Sequence, residues 1–258
     1  MTQKEDEVWI REEAGIQEII LNRPSVLNAL NTSMIQRLLD ALETAAKNPA
    51  IRCVVIASNG KGFCAGQDLK EVSDALSPGA VEEHMAQYYN PLISQLYLCP
   101  KPTIASIQGV AAGAGMSLAL ACDFRVASTE AKFVQAFVNI GLVPDSGSTY
   151  FLPRMVGLAK ALEWTLLGDM IDAQQAWQLG LITALGAPSD LGPATWGLAT
   201  RLAQAPSSTI ALIKQAIHQS GHNTWEQQLT LEQQLQKLAA GTTDHRQRLD
   251  AFLHKERP

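Results

Sequence analysis

The apolar positions of the chain change period several times, and each change marks an element. Val8 to Ile10 and Ile16 to Asn22 read as two short strands around a turn at Ala14 and Gly15, predicting an opening hairpin. Met34, Ile35, Leu38, Leu39, Leu42 and Ala46 then recur at helical spacing, which predicts a helix over Thr32–Lys47 with Asn31, Thr32 and Ser33 as capping candidates. Cys53 to Ala57 is a continuous apolar run of strand length, as expected of a strand buried on both faces. The alternation continues with a loop from Ser58 to Asp68, a helix near Val81–Leu98, a strand at Thr103–Ile107, a glycine-rich turn and a helix near Ala114–Ala121. Strands at Phe124–Ala127 and near Lys132–Ala136 follow. Strands alternating with helices predict an α/β architecture with largely parallel pairing.

After Ala187 the strand signal ends, and helical segments are expected around 191–204, 207–219, 225–239 and 244–254. A boundary is therefore placed near residue 190, between an α/β core over 1–190 and a helical region over 191–258. Ile210, Ile213 and Ile217 form one apolar stripe there, and Leu231, Leu235 and Leu238 another. Such stripes serve either core packing or a subunit interface, and the pattern alone does not separate the two.

Composition narrows the class. With 47% hydrophobic and 17% charged residues, the 258-residue chain has the balance of a globular protein with a large core. A net charge of -5 and the lack of any Lys/Arg run argue against nucleic acid as a partner. Met1 to Asp6 lacks the pattern of a secretory signal, and the most apolar stretch, Val110 to Ala121, is too short to cross a bilayer, so a cytoplasmic protein without membrane contact is expected. Cys53, Cys64, Cys99 and Cys122 have no metal-site spacing and read as reduced thiols. His218 and His222 stand four apart, but Ser220 and Gly221 interrupt the helix between them, so no metal site is expected.

Two glycine-containing loops follow predicted strands, Asn59 to Asp68 and Gln108 to Gly115. The second opens a helix, whose first amides lack intrahelical partners and carry the positive end of the helix dipole. An anion can be held there. The loop is not a dinucleotide fingerprint, because Leu118 stands where a third small residue is needed, and the chain has no P-loop Gly-Lys-Ser/Thr.

At these loops the sequence resembles the crotonase (enoyl-CoA hydratase/isomerase) superfamily. The resemblance is carried by Gly62-Phe63-Cys64-Ala65-Gly66-Gln67-Asp68-Leu69, by Lys101-Pro102-Thr103-Ile104-Ala105-Ser106-Ile107-Gln108-Gly109 and by Cys122-Asp123. It extends from Leu21-Asn22-Arg23-Pro24 and Leu27-Asn28-Ala29-Leu30 to Leu166-Leu167-Gly168, Gly180-Leu181 and the terminal Ala251-Phe252, nearly the whole chain. The resemblance implies a ββα spiral core, a helical C-terminal region that trimerises, a homotrimer or homohexamer, and an acyl-CoA substrate with no separate cofactor. It also implies an oxyanion hole from the amides of Ala65 and Ala114, beside Gly113. The coenzyme A moiety is expected against Gly66, Gln67, Asp68 and Leu69, with Lys70 as a phosphate contact and Phe252 and Lys255 near a CoA site.

Within that superfamily, hydratases place two glutamates around a water, and the corresponding positions here are Ser117 and Phe137. Asp145, in Gly141-Leu142-Val143-Pro144-Asp145-Ser146-Gly147, stands where some isomerases and a dehalogenase carry a functional carboxylate. A single carboxylate suits a proton shuttle, whereas hydration asks for two. The competing role for Asp145 is to cap a helix beginning near Ser146. Tyr89-Asn90-Pro91-Leu92, Ala131-Lys132-Phe133-Val134 and Pro144-Asp145-Ser146-Gly147 are most similar to ring-epoxide isomerases that convert 1,2-epoxyphenylacetyl-CoA to an oxepin-CoA. An enoyl-CoA hydratase and a non-catalytic acyl-CoA-binding homologue are the alternatives. The acyl group itself depends on loops such as Val72–Ala80.

Overall fold

The computed structural model describes residues 6–72 and 77–254. Part of the loop Val72–Ala80, and Lys255, lie outside the described residues. The opening hairpin forms as expected, with β1 (Val8–Glu13) antiparallel to β2 (Ile16–Leu21). Ala14 and Gly15 both take left-handed backbone angles, which matches a two-residue turn to the twist of the strands it joins. Helix α1 (Thr32–Lys47) is capped by the Asn31 side chain, which accepts from the Met34 amide.

Strand β3 (Cys53–Ser58) continues the sheet. The short helix α2 (Leu69–Val72) precedes a longer helical run of α3 (Pro78–His84), a π-helical turn (Met85–Tyr89) and α4 (Asn90–Tyr97). Strands β4 (Thr103–Ile107) and β5 (Val110–Ala112) then lead into α5 (Ala114–Ala121). Next come β6 (Phe124–Ser128), β7 (Lys132–Val134), α6 (Ser148–Val156), α7 (Leu158–Leu167), β8 (Ile171–Asp172), α8 (Ala173–Gln178) and β9 (Ala184–Gly186). The C-terminal helices are α9 (Leu191–Ala203), α10 (Ser207–Ser220), α11 (Trp225–Ala240) and α12 (Thr243–Leu253).

A six-stranded sheet runs β1-β2-β3-β4-β6-β9, parallel after the first pair, and a second sheet runs β5-β7-β8. Alternation along the central strands feeds two cores. Val54, Ile56, Ala105 and Ile107 face the main core with α1 and α5, while Cys53, Val55 and Ile104 face Leu191, Ala199 and Ala203 of α9. Burial on both faces explains the unbroken apolar run that the sequence shows at β3. Helix α9, the first past residue 190, thus packs directly on the sheet.

Two expectations need correction. The strand placed at Lys132–Ala136 ends at Val134, and a 3-10 turn takes over at Ala136–Ile140. Gln135 turns inward instead, donating to Met116 Sδ and accepting from Ser148 Oγ, so its side chain bridges α5 and α6. The helix expected from Val81 starts earlier, at Pro78, and contains the π turn.

All eight residues of α5 are buried and none is charged, as a helix surrounded on every side requires. Its C-terminal carbonyls are met by the buried Arg125, whose guanidinium donates to Cys122 O at 2.6 Å and also reaches Ala119 O. Its N-terminal end lies against the loop after β3. A Cβ on Gly115 would stand 2.3 Å from Cys64 O, and one on Gly109 would stand 1.8 Å from Lys61 O. The two loops therefore touch backbone to backbone, and no side chain fits between them.

This contact predicts a strong contrast between glycines. Gly109→Ala should cost about 3 kcal/mol or more, because main chain must move to make room. Gly197→Ala, on an exposed part of α9 with open space around it, should gain about 0.5–1 kcal/mol. Urea unfolding of both variants measures the difference, and similar midpoints would contradict the backbone contact.

Candidate active site

Three backbone segments converge at the N-terminus of α5. The first, Leu27–Leu30, opens on two residues with left-handed angles, Leu27 and Asn28. Asn28 is fully buried; its side-chain amide donates to Asn59 O and Gly62 O, and its oxygen accepts from the Arg23 amide. This one side chain ties the first segment to the second, residues 62–68. The second is stitched to the third, residues 109–115, by Phe63 N to Val110 O, Cys64 N to Val110 O and Ala112 N to Cys64 O, all at 2.9–3.0 Å.

The hydrogen bonds decide which amides are available. Ala65 N donates to Leu27 O at 2.9 Å, so the expectation that Ala65 lends its amide to a ligand is corrected: that donor is already engaged. Leu30 N donates to Gly66 O at 2.7 Å and Asp68 N to Leu30 O at 2.9 Å. In a parallel bridge this arrangement turns the N-H of the intervening residue, Gln67, away from Leu30. Among the described residues neither the Gln67 amide nor the Ala114 amide has a hydrogen-bond acceptor. Gly66 lies between them with φ of 95°, and a Cβ there would be 2.9 Å from Ala112 O and 3.4 Å from Ala114 N. The two unengaged donors thus flank one glycine contact, one of them at the positive end of a buried helix.

Asp145 sits one helical turn away. Ser117, three residues past Ala114 on α5, donates its hydroxyl to Asp145 O at 3.2 Å and to Gly113 O at 3.2 Å. Ser148 N also donates to Asp145 O. The carboxylate does not cap α6: the N-cap is Gly147, with no side-chain cap bond, so the capping role is removed. Among the described residues its carboxylate has one hydrogen bond, from Ser146 Oγ to Oδ1 at 2.9 Å. Burial pushes the Asp145 carboxyl above the usual carboxylate range, against the smaller opposing effect of that hydrogen bond. Ser146 (φ 52°) and Gly147 (φ 75°) are successive left-handed residues, and a left-handed serine is a strained one, held here by complete burial.

The positions of the two hydratase glutamates are filled otherwise. Ser117 is fully buried with its hydroxyl on main-chain carbonyls, and Phe137 is buried with its ring tip 3.8 Å from where a Gly113 Cβ would be. Asp68 is a structural anchor: it accepts from Arg23 Nη2 at 2.8 Å and from Lys70 N at 3.2 Å. Burial opposes its ionisation, but Arg23 and the Lys70 amide outweigh it and hold the carboxyl below its ordinary value. Arg23 also donates to Ala29 O, locking the Leu27–Leu30 segment to the same residue.

The remaining expected ligand contacts are dispersed. Leu69 and Lys70 lie on the exposed start of α2 beside the loop. Phe252 is 79% exposed on α12, which packs on α11, so this chain does not bring it to the loop. Cys64 is buried among the site residues, and burial pushes its thiol up to about 12, which leaves it an inert packing group. Tyr89, quoted in the sequence only as part of a motif, is buried with its hydroxyl unpaired among the described residues.

A family model described as enoyl-CoA hydratase/isomerase matches residues 11–258. The chain is 41% identical to 1,2-epoxyphenylacetyl-CoA isomerase of Escherichia coli over 95% of both chains. It is 40% identical to a probable enoyl-CoA hydratase of Rhodobacter capsulatus, over 95% of this chain and 93% of that one. Its structure superposes on that of an enoyl-CoA hydratase from Mycobacterium smegmatis with a TM-score of 0.94 at 30% identity, covering 98% of each chain.

Burial of Asp145 has a measurable sign. A carboxyl whose pKa is raised in the fold holds its proton more tightly than the unfolded chain does. Stability from this group is therefore full in acid and lost as pH rises through the raised value. Asp145→Asn should melt at a higher temperature than the parent at neutral pH, with the gap closing in mild acid. A variant less stable at neutral pH would show that the carboxylate is held by interactions beyond Ser146.

Proposed function

The chain belongs to the enoyl-CoA hydratase/isomerase, or crotonase, family of enzymes, and within it we propose an isomerase that moves a proton on an unsaturated or ring-epoxide CoA thioester. The observation that carries this reading is a single buried carboxylate, Asp145, one turn from an unengaged amide, with Ser117 and Phe137 where two glutamates would be needed.

Removing a proton beside a thioester carbonyl drives negative charge onto its oxygen. The amides of Gln67 and Ala114 are the donors for that charge; they cost no reorganisation because the fold has already fixed them, and donors of this kind are each worth about 3 kcal/mol in the transition state. Asp145, whose proton affinity is raised by burial, is a stronger base than an exposed carboxylate. It takes the proton from one carbon and returns it to another while the oxygen stays bound. Hydration asks for a water held between an acid and a base, and the buried aromatic ring of Phe137 offers that water no partner. The identity to a 1,2-epoxyphenylacetyl-CoA isomerase supports an aromatic ring-epoxide as the acyl group.

Single-turnover isomerisation of a ring-epoxide or β,γ-unsaturated CoA thioester tests the reading. Asp145→Asn should lower the rate by about 100-fold or more, since it keeps the shape and removes the base. Acyl-CoA affinity, measured by calorimetry, should change less than about tenfold, or roughly 1.4 kcal/mol. In the parent, the rate should rise with pH through an apparent pKa above the usual carboxylate range. Near-parent turnover in the Asn variant would remove Asp145 from the mechanism, and hydration of crotonyl-CoA outpacing isomerisation in the parent would make the chain a hydratase.

A further inference from the structure

The serine on α5 stands where two requirements of the reaction meet. Ser117 is fully buried, and its hydroxyl lies 3.2 Å from Gly113 O and 3.2 Å from Asp145 O. The first carbonyl belongs to the same peptide group as the Ala114 amide, because the C=O of one residue and the N-H of the next share one rigid plane. The second belongs to the residue that carries the carboxylate. One hydroxyl therefore bridges the peptide group of the unengaged donor and the backbone of the buried acid.

Neither carbonyl depends on that hydroxyl for a partner. Gly113 O already accepts from Ser117 N at 3.0 Å, and Asp145 O from Ser148 N at 3.0 Å. Satisfaction of buried acceptors thus does not account for a serine in a helix whose other residues are Ala, Gly, Met and Leu. What the hydroxyl adds is a fixed separation. Asp145 lies in irregular chain between the 3-10 turn at Ala136–Ile140 and α6, with the exposed Leu142 and Val143 before it and the left-handed Ser146 and Gly147 after it. Such a stretch has no ladder of its own to hold a side chain in place, whereas α5 is enclosed on every side. Ser117 fastens the one to the other.

We propose that Ser117 is a positioning residue, which holds Asp145 at the distance from the Ala114 amide that proton transfer requires. It acts through Asp145 and not on the substrate. The inference rests on the isomerase reading and deepens it, since it names the group that keeps base and oxygen-binding donor in register. Reacting geometries tolerate little error, and a misplacement of about 1 Å can cost about 100-fold in rate. A base on irregular chain needs a rigid element behind it, and the nearest one here also carries the donor.

The test is a double-mutant cycle in the full chain, with Ser117→Ala and Asp145→Asn alone and together. Ser117→Ala removes one oxygen, leaves both carbonyls paired to amides and favours the helix, so thermal unfolding should place it within a few degrees of the parent. In single-turnover isomerisation of a β,γ-unsaturated CoA thioester its rate should fall about tenfold, while acyl-CoA affinity, measured by calorimetry, changes less than about threefold. In the Asp145→Asn background the same substitution should change the rate less than about twofold, because no base is left to misplace. Parent-like turnover in Ser117→Ala, a loss of affinity that matches the loss of rate, or an undiminished loss in the Asn background would overturn the inference; the last two are what a purely structural serine would give. The isomerase reading fails separately, and takes this inference with it, where the parent does not isomerise the thioester or Asp145→Asn turns over like the parent.

Discussion

Everything at this site depends on main chain touching main chain. The loop after β3 and the loop before α5 approach so closely that Gly109 and Gly115 have no room for a methyl group, and Gly66 makes the same kind of contact with Ala112 and Ala114. Fixed in this way, the two loops position donors more rigidly than side chains, with their rotamer freedom, would allow. The third segment, Leu27–Leu30, is the clamp: it takes up the amides of Ala65 and Asp68 and the carbonyl of Gly66, leaving the Gln67 amide facing the other way. Arg23, Asn28 and Asp68 hold that clamp with polar contacts that are themselves partly or wholly out of water.

Much of this was legible in the sequence. Helices α1 and α5 and strand β4 run between the residues that periodicity assigns, because each is long enough for its pattern to declare itself. The strands that went unread, β5, β8 and β9, have two or three residues each and exist only through their partners; Ile171 is a strand residue because Phe133 pairs with it. Ala65 shows a different limit. A motif identifies a loop, but which amide it leaves free is a matter of register and of one dihedral angle. A regular extended chain would aim the amides of residues 65 and 67 the same way; the left-handed Gly66 between them turns the two apart. Nothing in residue type announces that reversal.

The carboxylate follows a different logic from the amides. Asp145 is anchored through its backbone carbonyl, which accepts from Ser117 Oγ and Ser148 N, while its side chain has one hydrogen bond among the described residues. A carboxylate tied down by several donors would be a poor base, and one in open solvent would be an ordinary one. Burial with sparse hydrogen bonding is the combination that raises proton affinity, and the strained Ser146–Gly147 pair is where the backbone bends to present it.

In the proposed function the oxygen-binding donors belong to the peptide backbone, which has a consequence for how such a chain diversifies. Genetic change acts on side chains, and almost no single codon change at residue 67 or 114 removes an N-H; proline alone does so. On that proposal, the ability to stabilise an enolate is inherited with the fold and survives drift at the positions that express it. In the proposed reaction the base sits instead on a side chain, Asp145, and the two hydratase positions are held by Ser117 and Phe137, all of them side chains rather than main chain. A scaffold divided in this manner can exchange one reaction for another while its costliest catalytic element stays in place, so a sequence library built on this chain would explore new chemistry from an already active starting point.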